Sequence, residues 1–323
     1  MPLPLEATVS EANLPVVDIS KFPRDVDAEE LIHLGYHPEL VKVRESCKEW
    51  GFFQLVNHGI PVDLVEMAEN VSRNLLSMPT EVKDKASSGK ALSTYYRRKN
   101  FESFLVRDAT NPGSFEQVCA KMYPERNPIL CETLSTYALS VSKLAQKITK
   151  IILASLGLDF KAFYRYQFEK CASVLRINGY SPANMSTEGE VILSHTDLGC
   201  LTILYQDDVG GLQIRSEEGE LFNVKPLPHA FVINLGDSFK AWCNGRYRSA
   251  DHRVVSKICR YRISIAFFSA FPEDMEIWAP EELVDDDNPR RYKRFIYSHF
   301  RDEAVSSKGD KAKATVLERF AGI

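Results

Sequence analysis

The chain has 323 residues, 44% hydrophobic and 26% charged, which is enough apolar material for a sizeable core in one elaborated domain or two. A net charge of −4 excludes a nucleic-acid footprint, since phosphate binding needs concentrated positive charge and the basic pieces "YYRRKN" and "NPRRYKR" are short and local. No apolar run of about 18 residues occurs, and "MPLPLEATVSEANLPVVDIS" lacks the basic and apolar regions of a secretory leader, so a cytoplasmic protein with no membrane span is expected.

The N-terminal part is mixed. A strand is expected at "LPVVDIS", then a helix opened by Pro38 and closed at Gly51, a strand at "FFQLV", and a helix after Pro61. Thr80 before "EVKDK" predicts a capped short helix. Turn signals without a sustained period, from Ala86 to Asn127, predict long loops. From Pro128 to about Leu156 apolar residues recur at three and four, the stripe of a long amphipathic helix. After residue 170 come short runs rich in Val, Ile and Phe between turns such as "DDVGG" and "CNGR", spaced as in a double-sheet jelly roll. The fold class expected is therefore α+β: a double-stranded β-helix (jelly roll) core with an N-terminal helical region packed against it. The division is residues 1–125 against a long helix plus core at 126–323. The seven cysteines are odd in number, scattered and without a CxxC pair, which predicts free thiols.

One strand of that C-terminal part, "VILSHTDLGCLTIL", sets His195 and Asp197 one residue apart, so period two sends both side chains from one face together with Leu193. Alone, such a pair is far more often a hydrogen-bonded surface pair than a metal site. His252, at the start of another strand, is the third candidate, because two imidazoles and a carboxylate can occupy one face of an octahedral iron(II) and leave the opposite face open. In "CRYRISIAFFSAF" Arg262, Ser264, Ala266 and Phe268 share one strand face, and Ile263, Ile265 and Phe267 the other. A buried guanidinium demands an anion, either an internal acid or the distal carboxylate of a dicarboxylic co-substrate, which Arg and Ser suit well. "SVLRINGYSP" likewise puts Val174, Arg176, Asn178 and Tyr180 on one face, where Asn178 and Tyr180 can bond a 2-oxo acid or nearby backbone. His33, His37, His58, His229 and His299 read as capping or solvated histidines.

With "LPVVDIS", "CKEWGFFQLVNHGI", "HTDLGCLTIL", "GGLQI", "INLGDSFKAWCNGRYRSADHRVV" and "YRISIAFF", the chain resembles the plant 2-oxoglutarate- and iron(II)-dependent dioxygenases, the isopenicillin N synthase-like superfamily, over nearly its whole length. "FESF" and "EELVDDDNPRRYK" are similar to the auxin oxidase branch. The resemblance implies iron ligands at His195, Asp197 and His252 and 2-oxoglutarate anchors at Arg262 and Ser264, assisted by Asn178 and Tyr180. It departs from the family pattern where Asn-Tyr-Tyr-Pro appears as Asn178-Gly179-Tyr180-Ser181-Pro182.

The implied reaction consumes oxygen, decarboxylates 2-oxoglutarate to succinate and carbon dioxide, and hydroxylates, desaturates or cyclises a small plant metabolite, hormone or specialised, with ascorbate as reductant in assays. The rivals are an iron oxidase that does not use 2-oxoglutarate and a non-catalytic jelly-roll binding protein. A small-molecule substrate is expected, with no nucleic acid, no membrane and a monomeric state. Candidate pocket residues are Leu193 and Phe268, with Tyr95, Tyr96, Phe101, Phe104 and Phe271 closing over them. Arg97 and Arg98 either attract a substrate carboxylate or sit on a solvated face.

Overall fold

A computed structural model describes residues 9–23, 37–87, 94–123, 127–182, 189–256, 260–307 and 316–323. Its N-terminal third begins with β1 (Val16–Asp18) and α1 (Pro38–Glu49), in which Pro38 sits at the first turn and the His37 ring accepts from the Glu39 amide at 3.2 Å. Gly51 ends this segment with a φ of 66°, and a side chain there would meet the Arg248 carbonyl at 2.5 Å, so both backbone and space require glycine. β2 (Phe52–Val56) and α2 (Val62–Ser77) follow. Thr80 opens a single helical turn but makes no capping bond; the position before it is Pro79, whose fixed φ starts the turn instead.

The stretch expected to be long loops is mostly ordered structure: β3 (Tyr95–Arg98), β4 (Phe101–Arg107) and α3 (Ser114–Met122). Both faces of β4 are covered, so it lacks the apolar–polar alternation that marks a half-exposed strand. α4 (Pro128–Ser155) is capped by the Asn127 side chain, which accepts from the Leu130 amide at 3.2 Å, and buries Leu130, Leu134, Tyr137, Val141, Leu144, Ile148 and Ile151 along one stripe.

The other strands of the two main sheets are β5 (Ala172–Tyr180), β6 (Gly189–His195), β7 (Leu201–Gln206), β8 (Leu212–Arg215), β9 (Leu221–Asn223), β10 (Phe231–Leu235), β11 (His252–Ser256) and β12 (Arg262–Ala270). They build an eight-stranded sheet ordered β1-β2-β10-β7-β12-β5-β4-β3 and a four-stranded sheet ordered β6-β11-β8-β9. Four of the eight strands of the large sheet come from before residue 125, so the N-terminal region is woven into that sheet as well as packed against it.

Two apolar clusters follow from the pleat. The outer face of the large sheet, with Leu175, Ile177, Ile203, Ile233, Ile263, Ile265 and Phe267, is buried against the α4 stripe and neighbouring helices. A smaller cluster of Phe52, Phe101, Tyr180, Leu212, Ile214, Val232 and Val254 lies between the sheets. Among the described residues no helix is long and apolar enough to cross a membrane, and Cys47, Cys119, Cys131, Cys171, Cys200 and Cys243 are free thiols.

Candidate metal and co-substrate site

The mouth between the two sheets gathers His195, Asp197 and His252, whose potential ligand atoms all lie within 4.8 Å of one another. β6 and β11 are antiparallel with His195 directly opposite His252, and a register irregularity follows between His252 and Val254. Each Nε2 is 3.9 Å from Asp197 Oδ1. Each Nδ1 is turned to the carbonyl two residues back, that of Leu193 at 2.8 Å and that of Ala250 at 3.1 Å. A carbonyl only accepts, so both Nδ1 atoms carry the proton and both Nε2 lone pairs face Asp197 Oδ1. Burial and the nearby His252 push His195 down to about 4, which leaves a neutral ring fit to ligate at neutral pH.

Asp197 uses its other oxygen for support. Oδ2 accepts from Thr202 Oγ1 at 2.6 Å and Asn234 Nδ2 at 2.8 Å. Burial opposes the charged form, but the two histidines and these two donors outweigh it and hold the carboxyl below its ordinary range. Thr202 on β7 and Asn234 on β10 are register partners, which is how two strands converge on one oxygen. The sequence reading missed both; their signal was a polar residue inside the otherwise apolar runs "LTIL" and "VINL".

Further along the inner face of the large sheet, β12 pairs with β5 so that Arg262 lies opposite Tyr180 and Ser264 opposite Asn178. Ser264 Oγ is 3.2 Å from both Asn178 Nδ2 and the Tyr180 hydroxyl. Arg262 is 2% exposed, rests 4.5 Å over the Tyr180 ring and donates through Nη2 to Gln206 Oε1 at 3.1 Å. Its Nε and Nη1, and Asn178 Oδ1, have no hydrogen-bond partner among the described residues. The adjacent acid, Asp207, is already engaged: it accepts from the Ile263 amide at 2.7 Å and pairs with Arg73 at 2.9 Å. A guanidinium so buried and unmatched costs several kcal/mol unless an anion arrives, which the carboxylate of a dicarboxylic acid satisfies bidentately.

The departure at Gly179 has a local cause. A side chain there would overlap the Tyr261 hydroxyl at 1.9 Å, and that hydroxyl donates to Glu102 at 3.3 Å. Gly179 points away from Asn178 and Tyr180, so the substitution repacks the outer face and leaves the inner one intact.

Strand parity sorts the pocket candidates. Phe101 and Tyr96 stand with Tyr180 on the inner side, Phe101 at 5.3 Å from Tyr180 and 6.4 Å from Tyr96 between ring centres. Phe268, opposite Thr202, is also inward. Tyr95 and Phe104 point the other way and stack on each other in the outer core, and Phe271 packs on Phe168 there. Residues an odd number of positions apart in a strand cannot share a face, so Tyr95 and Tyr96 could not both line the pocket, nor could Phe101 and Phe104. Leu193 contributes its carbonyl to His195. His37 and the His58 ring, which accepts from the Ile60 amide at 3.1 Å, serve as local caps, while His33 lies outside the described residues.

Comparison with known proteins bears on this geometry. Residues 171–270 match the model of the 2OG-Fe(II) oxygenase superfamily, and residues 14–114 that of the non-haem dioxygenase in morphine synthesis N-terminal region. A gibberellin 20-oxidase-like protein of Arabidopsis thaliana is 32% identical, with 96% of this chain and 98% of that one covered. The 2-oxoglutarate-dependent dioxygenase DAO of Oryza sativa is 33% identical over 86% of this chain and 92% of its own. Among solved structures, the dioxygenase for auxin oxidation in rice superposes with a TM-score of 0.80 at 31% identity, covering 96% of this chain and 100% of that one. JOX2 in complex with 2OG, Fe and JA gives 0.80 at 26% identity, covering 99% and 92%.

Proposed function

The chain belongs to the 2OG-Fe(II) oxygenase superfamily, and from that premise we propose which of its residues carry the reaction. It is a 2-oxoglutarate- and iron(II)-dependent dioxygenase. In our reading His195, Asp197 and His252 hold the metal through Nε2, Oδ1 and Nε2. Arg262 and Ser264 hold the far carboxylate of 2-oxoglutarate, with Asn178 and Tyr180 beside them. The observation that carries this is the pairing of an atom-matched triad with a buried Arg262, on the same inner surface, whose Nε and Nη1 lack hydrogen-bond partners among the described residues.

Held there, iron(II) would let oxygen act as the oxidant, with two electrons drawn from 2-oxoglutarate as it becomes succinate and carbon dioxide and two from the prime substrate. The protein's own residues do the rest. The Leu193 and Ala250 carbonyls fix which ring nitrogen each histidine presents, and Thr202 and Asn234 leave Asp197 one free oxygen, so these three atoms would be the ones that hold the metal. Arg262 neutralises and orients the co-substrate, Tyr180 stacks beneath its guanidinium, and Phe101 and Phe268 keep water from the inner surface.

The prime substrate is a small plant metabolite, hormone or specialised; relatives named for gibberellin and auxin oxidation support that choice. The same reading has a cytoplasmic monomer in which residues 126–323 carry the chemistry and residues 1–125 line and brace it. Aerobic turnover with iron(II), ascorbate and 2-oxoglutarate against a metabolite panel that includes indole-3-acetic acid tests it, with succinate and product mass followed together. Succinate formed in step with an oxidised product is expected. Oxidation without any need for 2-oxoglutarate would point to the oxidase alternative, and binding without turnover to a carrier.

A further inference from the structure

The two histidines of the triad stand at the open end of a ladder. β6 ends at His195 and β11 begins at His252, so the pair is the last rung between these strands. Just inside it the register slips twice, between His252 and Val254 and again between Val254 and Val255. Regular ladder bonding is therefore weakest where the two imidazoles, 4.3 Å apart between ring centres, have to be spaced.

Each ring belongs to a three-residue unit, 193–195 or 250–252, in which Nδ1 returns to the carbonyl two residues back. The middle residues, Ser194 and Asp251, point to the opposite, solvent side of the small sheet, and there they meet. Ser194 Oγ donates to Asp251 Oδ2 at 2.8 Å. Arg215 on β8 donates to the same oxygen through Nε at 2.8 Å and, through its amide, to the Asp251 carbonyl at 2.9 Å. Its Nη1 is steadied by the Gly219 carbonyl at 2.8 Å. One carboxylate thus ties three strands directly behind the metal-facing rung.

Sheet stability does not account for this carboxylate. Asp251 Oδ1 is shut off from solvent and finds no hydrogen-bond partner among the described residues, a cost that a neutral side chain would avoid. The same two strands carry a plainer tie farther from the site, where Arg253 Nη1 bonds Glu190 Oε1 at 3.0 Å with the glutamate more exposed than Asp251. Resting on the triad reading above, we propose that Asp251 is a positioning residue of the metal centre: bound to Ser194 and Arg215 on the solvent side, it fixes the spacing and tilt of His195 and His252 on the inner side. It supplies no ligand atom. Its effect passes through the two units, which carry both the rings and the carbonyls that orient them, so loss of the tie loosens two of the three ligands together.

The test uses the full chain and cobalt(II), whose visible absorption reports the geometry of its ligands, with affinity measured by competition against a coloured chelator. Wild type and His195→Ala come first: if the wild type takes up no cobalt(II), or His195→Ala takes it up equally well, the triad reading itself fails. Asp251→Ala is then expected to bind cobalt(II) about tenfold to a hundredfold more weakly and with an altered spectrum. Ser194→Ala should move both in the same direction by less, and Ser194→Thr, which keeps the hydroxyl, should restore them. The double variant Ser194→Ala/Asp251→Ala should be no worse than Asp251→Ala alone, because both act through one tie. Glu190→Ala, which removes the plainer ion pair from the same strands, should leave affinity and spectrum as in the wild type. The proposal is overturned if Asp251→Ala keeps wild-type affinity and spectrum, if Glu190→Ala weakens binding as much, or if the Ser194 and Asp251 effects simply add. Should Asp251→Ala fail to fold, the Ser194 variants decide: loss with alanine and retention with threonine support the tie, and no loss with alanine overturns it.

Discussion

The two faces of the large sheet are built from the same strands and do opposite things. On β12 the outward residues Ile263, Ile265 and Phe267 are buried in the helix-backed core, while the inward Arg262 and Ser264 are equally buried yet polar. The outer face gains free energy by removing apolar surface from water. The inner face costs free energy, since Arg262 and Asn178 keep polar atoms out of solvent that find no partner among the described residues. What the contrast teaches is that burial alone does not mark a core: stability is concentrated on one side of the strand and ligand demand on the other.

If that division holds, damage to each face should be separable. His195→Ala or Asp197→Ala should lower turnover on the order of a thousandfold or more and weaken iron binding, with the melting temperature of the metal-free protein little changed; near-normal turnover in either would remove the triad from the site. Arg262→Ala should raise the 2-oxoglutarate requirement by roughly a hundredfold while the prime-substrate KM moves only about twofold, as steady-state kinetics with each varied in turn will show. From the other face, Ile265→Ala should cost about 2–4 kcal/mol of stability in urea unfolding and leave kcat per folded molecule unaltered. Thr202→Val frees Asp197 to rotate, and iron affinity should fall about tenfold to a hundredfold with no change in 2-oxoglutarate affinity.

This division also explains what could be read without a structure. On β12, Arg and Ser alternate with Ile and Phe, so period two exposed the two faces directly, and the HTD segment with His252 supplied residue types whose chemistry is specific. β3 and β4 escaped because both faces of β4 are covered: Phe101 and Phe104 are both buried but on opposite sides, and no contrast in polarity betrays the period. Asking which of Tyr95, Tyr96, Phe101 and Phe104 face the pocket is a question of parity, answerable only once the strand register is known. Thr202 and Asn234 escaped for a related reason, since they meet at Asp197 through the pairing of β7 with β10, a contact made by the fold and absent from local pattern. The Asn178-Gly179-Tyr180 departure looked like a change at the site, but Gly179 answers to Tyr261 on the far side of the sheet.

The smallest effect sharpens the contrast most. Removing the Arg262 charge in favour of a similarly long apolar side chain, Arg262→Met, eliminates the two nitrogens that lack partners among the described residues and keeps most of the volume. Replacing a poorly compensated buried charge by a packed apolar group is often neutral or stabilising. The ligand-free Arg262→Met protein should therefore melt no lower than the wild type, and up to about 2–4 °C higher for each kcal/mol relieved in a chain of this size. Added 2-oxoglutarate should stabilise the wild type and leave the variant where it was. A lower melting temperature in the ligand-free variant would mean that Gln206 and the Tyr180 ring already compensate the guanidinium, and the inner face would then be as much a part of the stabilising core as the outer one.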